Sequence, residues 1–123
     1  MTQPAAKAII LFGHGSRDPL WRGPIEAVAA RLAKRHPTVP VRCAYLEFDT
    51  PKLPEAAAAL VAAGRTTISI VPMFLGTGTH ARRDLPALLQ ELRDAHSQIH
   101  FELQRAIGDD PRVLDLLATI AFE

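Results

Sequence analysis

The chain has 123 residues, a length that suits one domain with a core of its own, expected to span 1–123. Its formal charge of +1 comes from 14 Lys and Arg interspersed with 13 Asp and Glu, and no apolar run nears the ~20 residues of a membrane span, so neither nucleic acid nor membrane is an expected partner. The lone Cys43 excludes an internal disulfide, and the first residues carry neither the basic stretch nor the apolar run of a signal peptide, so a cytoplasmic location is expected.

In chain order, Lys7 to Phe12 is a short apolar run that ends in Gly13-His14-Gly15-Ser16, which suits a buried strand opening into a loop. After Asp18-Pro19, Ile25, Val28, Ala29 and Leu32 recur at helical spacing until His36-Pro37. A second strand covers Val39 to Leu46. Asp49-Thr50-Pro51 then reads as a cap with proline in the first turn of a helix, which carries Leu53, Ala57, Leu60 and Val61 on one face and stops at Gly64. The β-branched run Thr67 to Val71 is a third strand, followed by a loop containing Gly76, Gly78 and His80. Asp84 is expected to cap a third helix with Pro86 in its first turn and Leu85, Leu88, Leu89 and Leu92 on its inner face.

Alternation of Ile99, Phe101 and Leu103 with polar residues predicts an edge strand with one wet face, and Asp109-Asp110-Pro111 opens a last helix carrying Val113, Leu114, Leu117 and Ile120. Strands alternating with single helices predict an α/β fold: an open four-stranded parallel sheet with helices on both faces. Ligands of such sheets bind beyond the carboxyl ends of the strands, at the point where strand order reverses.

Three strand ends deliver chemistry to that edge: His14 after the first strand, Glu47 after the second and His80 after the third. Imidazole and carboxylate donors suit divalent first-row metals, and two or three protein ligands leave coordination positions open. Arg17, Arg82 and Arg83 flank the histidines and can meet carboxylates by bidentate hydrogen bonds. Cys43 falls mid-strand and reads as core, and Ser16 reads as a helix cap in the absence of a G-x-S-x-G elbow. His36, His96 and His100 fall at helix ends or on a wet strand face and read as bystanders.

Three stretches carry a resemblance: GHGSRD at 13–18, YLEF at 45–48 with Pro51, and PMFLGTGTHARRDLP at 72–86. On them the chain resembles the short CbiX/SirB type of sirohydrochlorin chelatase, in the class II chelatase superfamily that also contains protoporphyrin ferrochelatase. The resemblance implies a chelatase-like, flavodoxin-like topology, His14 and His80 as ligands of the incoming metal, and Glu47 as ligand or proton acceptor. It further implies a sirohydrochlorin substrate, no permanent cofactor, Co2+, Fe2+ or Ni2+ bound as substrate in a cobalamin or sirohaem pathway, and a homodimer.

Metal entry expels two pyrrole protons, which a nearby base must take, and binding energy at the peripheral carboxylates can hold the macrocycle in a bent shape. Arg17, Arg82 and Arg83 are the candidates for those carboxylates, and Met73, Phe74 and Leu75 with Gly76 and Gly78 for the macrocycle face. Two rivals stand beside this reading. A non-catalytic metal carrier would use the same ligands, whereas a histidine phosphatase would want an arginine before His14, where glycine stands.

Overall fold

The computed structural model describes residues 6–123, with the side chain of His80 outside what is described. Four strands, β1 (Lys7–Gly13), β2 (Val41–Tyr45), β3 (Thr67–Pro72) and β4 (His100–Leu103), form one parallel sheet in the order β2-β1-β3-β4. The helices are α1 (Gly23–Arg35), α2 (Leu53–Ala62), α3 (Thr79–Ala95) and α4 (Pro111–Phe122). Strand order reverses between β1 and β3, which places the ends of those two strands side by side: Phe12 pairs with Pro72.

Period-two alternation divides the strand side chains between two cores. Ala8, Ile10, Phe12, Ile68, Ile70 and Phe101 face α2 and α3, where Leu53, Ala57, Leu60, Ala81, Leu89 and Leu92 close over them. Ile9, Leu11, Val41, Cys43 and Tyr45 face the other way, toward Ile25, Ala29 and Leu32 of α1, with Val71 and Met73 beside them. The predicted architecture is therefore present.

Four local expectations are corrected. Ser16 is not a helix cap: Asp18 caps a 3-10 turn, Pro19–Arg22, accepting from Leu20 N at 2.9 Å, and α1 starts at Gly23 with no side-chain cap. Asp49-Thr50-Pro51 is no helix start: Tyr45 N donates to Pro51 O (3.0 Å), which keeps Pro51 in the loop, and α2 begins at Leu53 with Pro54 in its first turn. Asp84 does not cap α3. That helix starts five residues earlier at Thr79, which takes His80 out of the loop and into the first turn, and leaves Pro86 inside the helix. The longer helix seats Ala81 in the core, a burial that rewards helix on the amino-terminal side of the proline. Finally, α4 has the expected cap, Asp110 accepting from Arg112 N (2.9 Å), but no buried residue, and its apolar face is not seated on the sheet.

Candidate functional site

At the carboxyl end of β1 the chain turns sharply through Gly15, at φ 93°, a left-handed conformation that favours glycine. The turn presses against the segment after β2 so closely that a Cβ on Gly15 would overlap the Glu47 carbonyl. Leu46 N donates to Gly13 O (2.9 Å) and Glu47 N to His14 O (3.0 Å), which extends the strand pairing past Gly13–Tyr45 and sets His14 and Glu47 side by side. Buried Asp49 reaches across the same seam. Its carboxylate accepts from Ser16 N (2.9 Å) and from Arg22 Nη1 (3.3 Å), and its carbonyl accepts from Lys52 Nζ. The Ser16 hydroxyl accepts from Asp18 N (3.1 Å), ahead of the 3-10 segment, and so caps no helix, against the expectation for it.

From the neighbouring strand comes Phe74, whose buried ring lies 4.2 Å from the His14 ring, centroid to centroid, at an interplanar angle of 30°. Phe74 is itself backed by Phe12, centroids 5.8 Å apart. Behind it, Gly108 N donates to Phe74 O (2.9 Å), and Gly108 lies so close to Leu75 that a Cβ there would overlap the Leu75 backbone. Leu75 points outward, and Gly76 and Gly78 sit in open space. Two hollows flank the His14–Phe74 pair, one of about 440 Å3 lined by Gly13, Leu20, Trp21 and Met73 among others, the other of about 280 Å3 lined by Phe74, Thr77 and Arg82 among others.

The structure thus brings His14, the Glu47 segment and Phe74 to one edge. The arginines are spread around it: Arg17 lies over the exposed ring of Phe48 at 5.0 Å, Arg82 donates to Thr79 Oγ1 (3.3 Å), and Arg83 pairs with Asp84 (3.8 Å). His80 occupies the second position of α3, directly after the Gly76–Gly78 loop; the direction of its side chain is not described. Among the described residues no three His, Cys, Asp or Glu side chains gather as a metal site. His96, at the carboxyl end of α3, and His100, which lies 3.2 Å from Glu102, are at the far ends of the strands and take no part.

Asp49 is the residue that sequence reasoning missed. Its signal was its place directly after YLEF, overshadowed by the capping pattern of Asp-Thr-Pro. Beneath the site, burial first and then the neighbouring Cys43 and Glu26 push the Tyr45 phenol up to about 12, and burial likewise raises Cys43, so this part of the support stays uncharged at neutral pH. No helix among the described residues is long and apolar enough to cross a membrane.

The chain is 37% identical over 81 residues to the sirohydrochlorin cobaltochelatase of Methanosarcina acetivorans, a match covering 66% of this chain and 62% of the relative, so it spans less than two thirds of that relative's length. It is 34% identical to the sirohydrochlorin cobaltochelatase of Methanocaldococcus jannaschii, covering 94% of this chain and 98% of the relative. Among solved structures, a CbiX protein of Marinobacter aquaeolei superposes with a TM-score of 0.81 at 29% identity, covering 94% of this chain and 93% of that one. The sirohydrochlorin chelatase SirB of Bacillus subtilis subspecies spizizenii, solved in complex with cobalt, superposes with a TM-score of 0.72 at 29% identity, covering 92% of this chain but only 48% of that one. The CbiX family model matches residues 8–123, and the chain belongs to the CbiX family.

Proposed function

We propose that this chain is a sirohydrochlorin chelatase that inserts Co2+ or Fe2+ into the tetrapyrrole, with Ni2+ as a third metal to compare. The observation that carries the reading is His14, its ring 4.2 Å from that of Phe74 and its backbone carbonyl accepting from Glu47 N, at the open edge where β1 and β3 end side by side. In the reaction the divalent ion enters the macrocycle as two pyrrole N–H protons leave. His14 and His80 hold the ion in a site with open positions, so that it can be passed to the pyrrole nitrogens. Glu47, exposed on the same edge, serves as a further ligand or as acceptor of a departing proton.

Phe74, Leu75, Gly76 and Gly78 lie against the macrocycle, the glycines leaving room for it, while Arg17, Arg82 and Arg83 meet its carboxylates. Residues 1–123 act as one domain, the protein is cytoplasmic, and the working unit is a homodimer. The last point is supported by size: the chain covers only 48% of SirB, and a second copy supplies the facing wall for so large a ligand.

Absorbance under anaerobic conditions tests the reading. Purified protein mixed with sirohydrochlorin and each of the three ions is expected to speed metallation over the protein-free control, and an equal rate would leave only a metal carrier. His14→Ala and His80→Ala are each expected to lower the rate about 100-fold or more, since even groups that merely support a metal ligand cost 10–100-fold.

A further inference from the structure

Among the described residues, Phe48 is the one residue other than glycine with a positive φ, 68°. Asp49 N donates to Glu47 O across it (2.8 Å), so the backbone closes a γ-turn of the rarer, strained hand. A bulky side chain fits this region badly because its Cβ crowds the backbone, whereas glycine or asparagine suits it. The neighbours explain why the turn persists. Glu47 N is bound to His14 O, the Asp49 carboxylate to Ser16 N and Arg22, and the Asp49 carbonyl to Lys52 Nζ (2.6 Å), so both ends of the turn are fixed. They do not explain why the residue between them is a phenylalanine. It is 54% exposed, against 3% for Phe74, so packing within the chain returns little for the strain.

We infer that the Phe48 ring is a contact for the tetrapyrrole, on the β2 side of His14, and that the strained turn exists to present it. This rests on the chelatase reading above and adds a wall to the site that the reading leaves open. Sheet order supports the placement. Along the carboxyl edge Phe48 follows β2, His14 follows β1 and Leu75 follows β3, so in strand order the candidate metal ligand lies between two exposed apolar side chains, Leu75 being 68% exposed. A large conjugated ring needs apolar surface to lie against, and a phenylalanine ring offers it with few rotatable bonds to order. The ring already receives one flat group: the Arg17 guanidinium lies 5.0 Å from its centroid, and Phe48 is half exposed with Arg17 in place. The same turn carries Glu47, so one fixed segment presents a carboxylate and a ring side by side. Strain that is already present in the free protein leaves less to be ordered when the ligand arrives.

Binding of metal-free sirohydrochlorin to the full chain, followed by the change in the ligand's fluorescence, tests the contact apart from metallation. Phe48→Asn suits the left-handed backbone and lacks the ring. It is expected to raise the sirohydrochlorin dissociation constant about 10-fold, with affinity for Co2+ unchanged and a urea midpoint equal to or above that of the parent chain. Phe48→Tyr keeps a ring and is expected to bind as the parent does. An unchanged constant for Phe48→Asn, or one raised equally by both substitutions, overturns the inference and leaves the chelatase reading standing. A lower urea midpoint for Phe48→Asn would place the ring's role in packing and overturn it as well. A parent chain that binds no sirohydrochlorin overturns both.

Discussion

The two loops that meet at His14 are built in opposite ways. The loop after β1 is bound to its neighbour by two backbone hydrogen bonds, by the Asp49 carboxylate and by a glycine that leaves no space between the segments. Among the described residues, the loop after β3 is held in its first half, where Met73 N donates to Phe12 O (2.8 Å) and Gly108 grips Phe74; beyond Leu75 its glycines face open space. On the proposed function, His14 as metal ligand must keep its geometry when the ion arrives, whereas a surface receiving a large macrocycle must adapt to it. The fixed wall carries His14, and the adaptable one leads to His80.

The largest expected effect comes from Gly15→Ala, which would impose a strained φ and an overlap with the Glu47 carbonyl. Backbone strain and overpacking of ~1–3 kcal/mol each predict a loss of roughly 3 kcal/mol or more in urea unfolding. A loss under ~1 kcal/mol would mean that the first loop is no tighter than the second. Next is Asp49→Ala, which strips Ser16 N and Arg22 of their buried acceptor and should cost about 2 kcal/mol. Titration with Co2+ should show affinity falling about 10–100-fold, because the loop presenting His14 loses its tether. Asp49→Asn keeps an acceptor for Ser16 N and should recover part of both; equal damage from the two variants would locate the effect in the charge facing Arg22.

Much of this architecture is legible in the amino-acid sequence. The apolar runs at 7–12 and 67–71, each closed by glycine or proline, mark the central strands, and parallel topology then places His14 and Glu47 at one edge. Asp49 was not legible as a tether, because Asp-Thr-Pro satisfies the local chemistry of a helix start equally well and only the approach of residues 13–16 decides between them. The start of α3 was hidden by Pro86: local rules confine a proline to the first turn, while burial of Ala81 favours helix before it. The apolar stripe on α4 reads as a face packed on the sheet, whereas the structure leaves it exposed, because helical spacing fixes which residues share a face and not what lies against it.

Pro86 offers a way to tighten the adaptable wall. It has no N–H to give the Arg82 carbonyl, so the first turn of α3, where His80 sits, lacks a hydrogen bond that the following turns have. Pro86→Ala should restore it and add roughly 1 kcal/mol, below the ~3 kcal/mol of a proline deep within a helix, because water can reach a carbonyl so near the helix start. The thermal midpoint should rise by several degrees, and slower amide exchange confined to residues 79–86 would locate the gain. If exchange there is already as slow as in the rest of α3, the first turn is not loose and the contrast between the walls narrows.

The smallest effect is expected at Gly76, and its sign is the sharpest test of the contrast. A Cβ there meets nothing within 4 Å, and the residue is not in the left-handed conformation, so Gly76→Ala should stabilise the free protein by about 0.4–1 kcal/mol through the unfolded chain alone. Substrate affinity should move the other way. If the space beside Gly76 is where the macrocycle lies, the added methyl stiffens and narrows that wall, raising KM for sirohydrochlorin with little change in the affinity for Co2+. A variant that is more stable but keeps the original KM would show the open space to be ordinary surface, and the adaptable wall would then reduce to Phe74 and the first turn of α3.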